Sequence, residues 1–239
     1  MPNHPATGHT APMPTCSLDN RIQQTEEMLL SLCKQADPQA IRVAWTGGKD
    51  STALLFLWKA VLDHLGSGAP RAINLDTGCK FPEIIEFRDA LTREWNVDLH
   101  IARPAISLKE YPLAQDKVSC CRDLKIIPLQ RAIRDTSTRI LITGIRRDEN
   151  PDRHDRDFLE NRTDPDHVLA NPLLDWTEMD IWAFHDRFGL PRCSLYAEGY
   201  RSLGCMPCTT LPAPGQGERS GRSRAKEQAM RTLTNLGYF

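Results

Sequence analysis

In the stretch Val43-Ala-Trp-Thr-Gly-Gly-Lys-Asp-Ser51, a short apolar run gives way to two glycines and a polar cluster. An apolar run that ends in glycine and continues into a helical pattern is typical of a strand that turns into a helix. Glycines let the backbone approach an anion closely, and the N-terminus of the helix offers unpaired N–H groups to it. Lys49 adds a positive charge, while Thr46 and Ser51 add hydroxyl donors. The stretch therefore predicts an anion-binding loop.

The order of residues in this loop restricts the kind of anion site. Asp50 offers the oxygen ligands that Mg²⁺ prefers when it binds beside phosphates. A Walker loop is excluded, because it needs four residues between its first glycine and its Gly-Lys pair. Two glycines alone are also compatible with an ordinary turn before a capped helix, so the prediction depends on the whole string.

Short β-rich runs alternate with helical patterns around this loop. Strands are predicted at residues 41–45, 72–76, 98–102 and 139–144, and helices at residues 18–35, 51–65, 82–95, 122–134 and from about 175. This alternation favours an α/β fold, a mostly parallel sheet with helices on both faces. Ligands of such sheets bind beyond the carboxyl ends of the strands, where the glycine loop lies.

Composition predicts where the folded domain begins and ends. Residues 1–17 are rich in Pro, Thr and His without periodicity, and we expect a flexible tail there. Residues 18–190 carry the α/β pattern. Residues 191–239 are densely interrupted by Gly and Pro, so they are predicted to be a loop-rich segment with a short terminal helix, packed on the same domain.

The overall composition excludes several classes of protein. Hydrophobic residues make up 40% and charged residues 26%, which is typical of a globular chain. No apolar run approaches the about 20 residues of a membrane span, and the N-terminus lacks the features of a secretory signal. We therefore expect a soluble cytoplasmic protein without membrane contact. With 30 basic and 31 acidic residues, a nucleotide or nucleic acid would have to bind at a local patch.

The whole loop string resembles the PP-loop of the ATP pyrophosphatase superfamily, usually written SGGxDS, with a threonine at its first position. The resemblance implies that residues 18–190 form a nucleotide-binding domain that binds ATP with Mg²⁺ and cleaves it to AMP and pyrophosphate. It implies catalytic roles for Lys49, Asp50 and Ser51. The ATP-binding residues of the loop would be Thr46, Gly47, Gly48, Lys49, Asp50 and Ser51.

The resemblance extends over most of residues 40–222. Residues 75–81 (LDTGCKF) and 86–89 (EFRD) look like the second-strand region of the ATP sulfurylase small subunit and of sulfonucleotide reductases, and residues 143–148 (TGIRRD) resemble their basic Gly-Arg-Arg segment. This implies nucleotide contacts by Gly144, Arg146 and Arg147, and a guanidinium can bind phosphate oxygens in a bidentate fork. An exposed charged loop is the alternative. Asp76, at the carboxyl end of a predicted strand, is a further candidate for contact with nucleotide or metal.

Four cysteines form a second pattern. A C-x-x-C sequence on a turn with proline, Cys205-Met-Pro-Cys208, directs two thiolates at one point, and the adjacent pair Cys120-Cys121 supplies two more. Four thiolates suit a tetrahedral metal or an iron–sulfur cluster. Zinc is the alternative, although adjacent cysteines are an unusual zinc pair. Eight cysteines without an export signal favour metal ligands or catalytic thiols over disulfides.

The surroundings of these cysteines resemble assimilatory sulfonucleotide reductases. Residues 119–125 (SCCRDLK) and 204–209 (GCMPCT) match the pattern in which that family holds a [4Fe–4S] cluster beside the nucleotide. The resemblance implies a [4Fe–4S] cluster bound by Cys120, Cys121, Cys205 and Cys208. Cys79 is a weaker candidate, for a thiol that carries sulfur.

Two departures from the reductase pattern lead to a different function hypothesis. Those reductases use a further cysteine near the C-terminus as the nucleophile, and this sequence has none after Cys208. The glycine loop is also of the ATP type. A PP-loop together with a four-cysteine cluster resembles the ATP pyrophosphatases of DNA phosphorothioation systems. The main hypothesis is thus that the protein adenylates an acceptor, chiefly the DNA backbone, so that sulfur can be incorporated. A cysteine desulfurase would be the partner that donates sulfur, and other members of a complex would bind the DNA.

Two alternatives remain open. One is an assimilatory APS or PAPS reductase whose attacking thiol is supplied differently, and the other is a non-catalytic nucleotide-sensing module with a structural cluster. Production of AMP and pyrophosphate from ATP separates the main hypothesis from both. The oligomeric state is open, and a homo-oligomer is compatible with the sequence.

Overall fold

The computed structural model describes residues 17–239, and a six-stranded sheet runs through it. The strands are β1 (Ile41–Ala44), β2 (Arg71–Leu75), β3 (Asp98–Ala102), β4 (Ile140–Ile142), β5 (Leu159–Thr163) and β6 (Asp166–Ala170). Their order is β3-β2-β1-β4-β6-β5. All neighbours pair in parallel except β5, which is antiparallel to β6 at the edge of the sheet.

Helices precede, connect and follow these strands. They are α1 (Leu18–Gln35), α2 (Lys49–Leu65), α3 (Pro82–Glu94), α4 (Lys117–Cys121), α5 (Ile127–Asp135), α6 (Glu178–Phe188), α7 (Arg224–Gln228) and α8 (Met230–Asn235). No helix of the described residues is long and apolar enough to cross a membrane.

The two faces of the sheet are covered by different helices. Ile41 and Val43 of β1 pack in a core with α1, α2 and α6, whereas Ala44 packs with α5 on the other face. Because side chains alternate along a strand, one apolar run can serve both cores. The predicted fold class, a mostly parallel α/β sheet with helices on both faces, is confirmed.

β1 and α2 hold the glycine loop between them. Every residue of β1 is buried, and Trp45 still donates its N–H to the Ile73 carbonyl of β2 at 3.0 Å. The chain therefore leaves the sheet only after Trp45. α2 begins at Lys49, with Gly48 as its N-cap, two residues before the predicted start.

The helix predicted at residues 122–134 is part of a longer helical run. α4 passes at its end into a π-helical turn, Arg122–Ile126, and then into α5. Pro128, in the first turn of α5, has no N–H to donate, so the hydrogen-bond ladder cannot continue unchanged through it. This helical run places Cys121 and Lys125 in the lining of one small cavity, which is described below.

The sequence pattern does not predict the hairpin formed by β5 and β6. Side chains of β5 alternate between exposed and half-buried, so the strand carries no apolar face that a pattern could detect. Pairing with β6 across five residue pairs makes the segment a strand all the same.

The segment of residues 191–239 is loop-rich, as predicted, and lies against the rest of the chain. α7 and α8 contact α4, and Lys80, just after β2, forms a β-bridge with Cys205. The exact domain limits stay a prediction. Residues 1–16 of the predicted tail lie outside the described residues, and Ser17 is the N-cap of α1.

Candidate nucleotide and cluster site

The glycine loop is closed by its own hydroxyl groups. The Thr46 N–H donates to the Ser51 hydroxyl at 3.2 Å, and the Ser51 hydroxyl lies 3.0 Å from the Gly48 carbonyl. Gly47 has a φ of +82°, a conformation that favours glycine. Gly144 approaches from the loop after β4, and a Cβ atom there would lie 3.1 Å from the backbone nitrogen of Ser51. The predicted loop residues and Gly144 therefore come together.

Four alternating charges meet beside this loop. Asp50 accepts from Lys49 Nζ at 3.2 Å and from Arg146 Nε at 2.6 Å. Glu218 lies 169 residues after Lys49 and accepts hydrogen bonds from the same two cations. Its distance from Arg146 Nη2 is 2.5 Å. Both cations are almost fully buried, with exposed side-chain fractions of 1% for Lys49 and 0% for Arg146. The lysine and the first arginine that the sequence predicted thus share one buried network.

The pKa shifts in this network follow from burial and from the opposite charges. Burial would lower the pKa of Lys49, but the nearby carboxylates, Asp50 first, raise that pKa above its ordinary value. Burial would raise the pKa of Asp50, yet Lys49 and Arg146 hold it well below its usual range. Burial raises the pKa of Glu218 against the opposing effect of Lys49. Glu218 therefore takes up a proton more readily than Asp50 as the pH falls.

Three carboxylates gather near the loop. Asp50, Glu149 and Glu218 each have an oxygen within 4.8 Å of the others. Arg153 and Arg219 already pair with Glu149, the latter at 2.7 Å. The magnesium role that the sequence predicted for Asp50 stays a prediction.

An open cavity lies over the loop and the first turn of α2. Its lining includes Thr46, Gly48, Asp50 and Ser51 of the glycine loop, together with Gly144, Ile145, Tyr196, Glu218, Arg219, Arg222 and Tyr238. The Lys49 N–H, at the N-terminus of α2, donates to the Tyr196 hydroxyl at 2.8 Å. An anion that binds this helix terminus would therefore exchange with the tyrosine hydroxyl.

Arg222 is a buried cation of the same cavity that lacks a partner. Its side chain makes no hydrogen bond or salt bridge to any residue from 17 to 239, and its Nε is fully buried. It packs so closely on Gly204 that a Cβ there would lie 2.2 Å from a guanidinium nitrogen. Burial and the neighbouring Arg219 lower the pKa of Arg222. A buried unpaired guanidinium costs free energy, and an anionic ligand would recover it.

Two lysines and a tyrosine separate this cavity from the cysteines. Lys226 Nζ donates to the Tyr238 hydroxyl at 3.1 Å, and Lys125 Nζ lies 5.5 Å from the centre of the Tyr238 ring. Burial opposes ionisation of Tyr238, but the two lysines outweigh it and lower its pKa to about 7. Burial and Lys125 lower the pKa of Lys226 to about 8.

The four predicted cysteines line a second, smaller cavity. Its lining includes Lys125, Lys226 and a fifth thiol, Cys79, together with Cys120, Cys121, Cys205 and Cys208. All cysteines of the described residues are free of disulfides. The C-x-x-C pair sits on a short turn, Met206–Cys208, and the adjacent pair ends α4. Four free thiols that face one enclosed space form a donor set that fits an iron–sulfur cluster.

Cations and a hydroxyl surround this thiol set. The Thr77 hydroxyl lies 3.2 Å from Cys205 Sγ, and Lys117 Nζ lies 3.8 Å from Cys208 Sγ. Burial would raise the pKa of Cys205, but Lys125 and Lys80 lower it to about 6. Burial raises the pKa of Cys120, so the surroundings favour the thiolate, the form that binds metal, at Cys205.

Two predicted nucleotide contacts are engaged in ion pairs of their own. Asp76 pairs with Arg103 at 3.2 Å and accepts from the Gly78 N–H at 3.1 Å. Arg147 pairs with Asp175. Neither residue is among those that line the cavity, which also holds for Gly47, Lys49 and Arg146, so the nucleotide contacts of Asp76 and Arg147 stay predictions.

Six residues that line the two cavities were not predicted from the sequence: Glu218, Arg222, Lys125, Lys226, Tyr196 and Tyr238. Glu218 and Arg222 lie in residues 215–222 (GQGERSGR), where glycines and polar residues together are typical of a surface turn, so the sequence carried no specific signal for them.

Comparison with known proteins identifies the family. The family model of the phosphoadenosine phosphosulfate reductase domain matches residues 40–211. The adenosine 5′-phosphosulfate reductase of Mycolicibacterium smegmatis is 36% identical over 221 residues, covering 87% of this chain and 92% of that protein.

Two solved structures share the fold. A phosphoadenylyl-sulfate reductase from Candida auris superposes with a TM-score of 0.64 at 16% identity, over 82% of this chain and 98% of that chain. The FMN adenylyltransferase of Candida glabrata has a TM-score of 0.68 at 18% identity, over 92% of this chain and 81% of that chain.

These findings correct the function hypothesis. The main hypothesis, DNA phosphorothioation, is wrong, because curated relatives at 31–36% identity are named reductases of adenosine 5′-phosphosulfate or of its phosphorylated form. One absent cysteine and an ATP-type loop string do not outweigh this similarity. The similarity covers most of the chain. The chain belongs to the phosphoadenosine phosphosulfate reductase family, within the PP-loop superfamily of enzymes.

Proposed function

We propose that this protein is a sulfonucleotide reductase, which converts adenosine 5′-phosphosulfate, or its 3′-phosphorylated form, to sulfite and the adenosine phosphate. The observation that carries the proposal is Arg222, a buried and unpaired cation that lines the nucleotide cavity next to the cysteine-lined cavity. The names of the curated relatives support the same substrate class.

The nucleotide would bind over the carboxyl ends of the central strands, as in other α/β sheets. Its phosphosulfate is an anion that Arg222 could bind in a bidentate fork. Tyr196 lines the same cavity, and its hydroxyl can donate a hydrogen bond. A buried cation near the reacting sulfur would stabilise the negative charge that develops on the leaving phosphate.

Cys120, Cys121, Cys205 and Cys208 would hold a [4Fe–4S] cluster. When bound, the cluster supplies an anionic metal centre whose charge and potential respond to nearby hydrogen bonds and cations. Lys125 and Lys226 lie between it and Tyr238, so they can balance its charge and keep the sulfate end of the substrate close.

The reduction needs a thiolate that attacks the sulfate sulfur. A sulfur–sulfur bond forms while the bond from sulfur to the phosphate oxygen breaks, and the adenosine phosphate leaves with the electron pair. A second thiol then displaces sulfite and leaves a disulfide. Within residues 17–239 no cysteine lines the nucleotide cavity, and our proposal assigns both thiols to a dithiol reductant.

A matched pair of variants tests this function. Arg222→Ala should lower the rate of sulfite formation from adenosine 5′-phosphosulfate and dithiothreitol about 100-fold, since it removes the buried cation. Arg224→Ala changes an exposed arginine two residues away and should leave the rate unchanged. Equal rates in the two variants would contradict the role of Arg222. Release of AMP and pyrophosphate from ATP with Mg²⁺, without sulfite formation, would contradict the function.

A further inference from the structure

The glycine loop already holds an anion of the protein itself. The Glu218 carboxylate accepts from Lys49 Nζ with one oxygen and from Arg146 Nη2 with the other. Lys49 belongs to the glycine loop and Arg146 to the loop after β4, and both are cations of the kind that bind phosphate oxygens. A carboxylate in a bidentate position between two buried cations occupies the place of a phosphate group.

The charges of the loop are balanced by this arrangement. Lys49 and Arg146 contribute two positive charges, Asp50 and Glu218 contribute two negative ones, and Arg146 also pairs with Asp148 at 3.1 Å. The side chain of Glu218 is only 8% exposed, so water screens the network little. A highly charged pyrophosphate would meet two carboxylates at close range and no unpaired cation of the loop.

The segment that carries Glu218 is anchored by the residues that follow it. The Thr210 N–H donates to the Gly221 carbonyl at 2.8 Å, and a Cβ at Gly221 would lie 2.1 Å from the Thr210 carbonyl oxygen. Arg219, the next residue, pairs with Glu149 and Glu227 at 2.7 Å each. Glu218 is therefore held in the loop by its neighbours as well as by its own ion pairs.

The same segment offers a second possible anion-binding site at Arg222, four residues after Glu218. Arg222 is buried and unpaired, in contrast to Lys49 and Arg146. One short segment thus supplies both the carboxylate that pairs with Lys49 and Arg146 and the unpaired cation, Arg222, that lines the cavity.

We propose that Glu218 is a specificity-determining residue, which occupies the pyrophosphate place of the glycine loop and excludes ATP, so that only an adenosine phosphate with a short anionic group at Arg222 binds. The proposal rests on the reductase function inferred above. It also accounts for an ATP-type loop in a chain of a reductase family, because the loop string is present while its cations are already occupied.

The test compares anion binding in the cluster-loaded protein and two isosteric variants. Glu218→Gln removes one negative charge and should bind inorganic pyrophosphate, and ATP with Mg²⁺, about tenfold more tightly than the unaltered protein, by isothermal titration calorimetry. Glu198→Gln changes an exposed glutamate and should match the unaltered protein. Equal affinity of the unaltered protein and Glu218→Gln would overturn the proposal.

A second measurement needs no variant at Glu218. Pyrophosphate should not raise the melting temperature of the unaltered protein, whereas adenosine 5′-phosphosulfate should raise it, because only a ligand of the native state stabilises the fold. A higher melting temperature of the unaltered protein with pyrophosphate as the added ligand would also overturn the proposal. The reductase function itself fails by a different readout, the absence of sulfite, so the two failures are distinguishable.

Discussion

Arg146 and Asp50 form a buried ion pair, with 2.6 Å between Nε and Oδ1, although 96 residues separate them in the sequence. The pair joins the loop after β4 to the first turn of α2, and Gly144 lets the two backbones approach. The nucleotide cavity depends on this junction, because both sides of it contribute to the lining.

Loss of Asp50 should weaken the fold as well as the site. Asp50→Asn leaves Lys49 and Arg146 with one carboxylate fewer, and we expect the free energy of unfolding to fall by about 1–3 kcal/mol. Asp63→Asn, on the exposed end of the same helix, should change it by less than about 0.5 kcal/mol. Urea unfolding followed by circular dichroism measures both. Equal losses in the two variants would mean that the ion pair does not stabilise the junction.

Gly144 should tolerate no side chain. A methyl group there would lie 3.1 Å from backbone atoms of Asp50 and Ser51, which cannot turn away as a side chain could. Gly144→Ala should therefore lower the melting temperature and weaken nucleotide binding. Gly217 faces open space, and Gly217→Ala serves as the control. A Gly144→Ala protein with normal stability and binding would contradict the close approach.

Iron content tests the thiol set without any activity measurement. The protein purified without oxygen should contain about four irons and four sulfides per chain. Cys121→Ser and Cys205→Ser should lose most of the iron, and Cys33→Ser on α1 should keep it. Cys79→Ser should also keep it, since four thiols suffice. One zinc per chain in place of iron would contradict the cluster.

Tyr238 should ionise near neutral pH. Lys125 and Lys226 lower its pKa to about 7, against the opposing effect of burial. The ultraviolet difference between the unaltered protein and Tyr238→Phe should show a tyrosinate that forms near pH 7, well below the ordinary value of about 10. Between these values the folded protein binds fewer protons than the unfolded chain, so Tyr238 should make stability rise with pH in that window. A difference that appears only near pH 10 would contradict this environment.

The sequence predicted the parts of the site that are local in the chain. Residues 46–51 and the two cysteine pairs carry their chemistry within a few neighbouring residues, and the structure brings each set together. The π-helical turn ahead of α5 was not predicted, since it depends on how one proline interrupts a longer helical run.

Glu218 and Arg222 could not be predicted from neighbouring residues in the sequence. They lie in a Gly-rich segment without periodicity, and the partners of Glu218 are 72 and 169 residues distant. Edge strand β5 was missed because it has no apolar face. The function was misjudged for a related reason. The loop string indicates a backbone shape and a set of side chains, but it does not indicate that a carboxylate from elsewhere in the chain already pairs with the lysine of the loop.

Product analysis with the two competing nucleotides tests the central claim most directly. The cluster-loaded protein is incubated without oxygen in two reactions, one with adenosine 5′-phosphosulfate and dithiothreitol, the other with ATP and Mg²⁺. A sulfonucleotide reductase should release sulfite and AMP in equal amounts in the first reaction and no pyrophosphate in the second. Pyrophosphate and AMP from ATP, with no sulfite from adenosine 5′-phosphosulfate, would contradict the account.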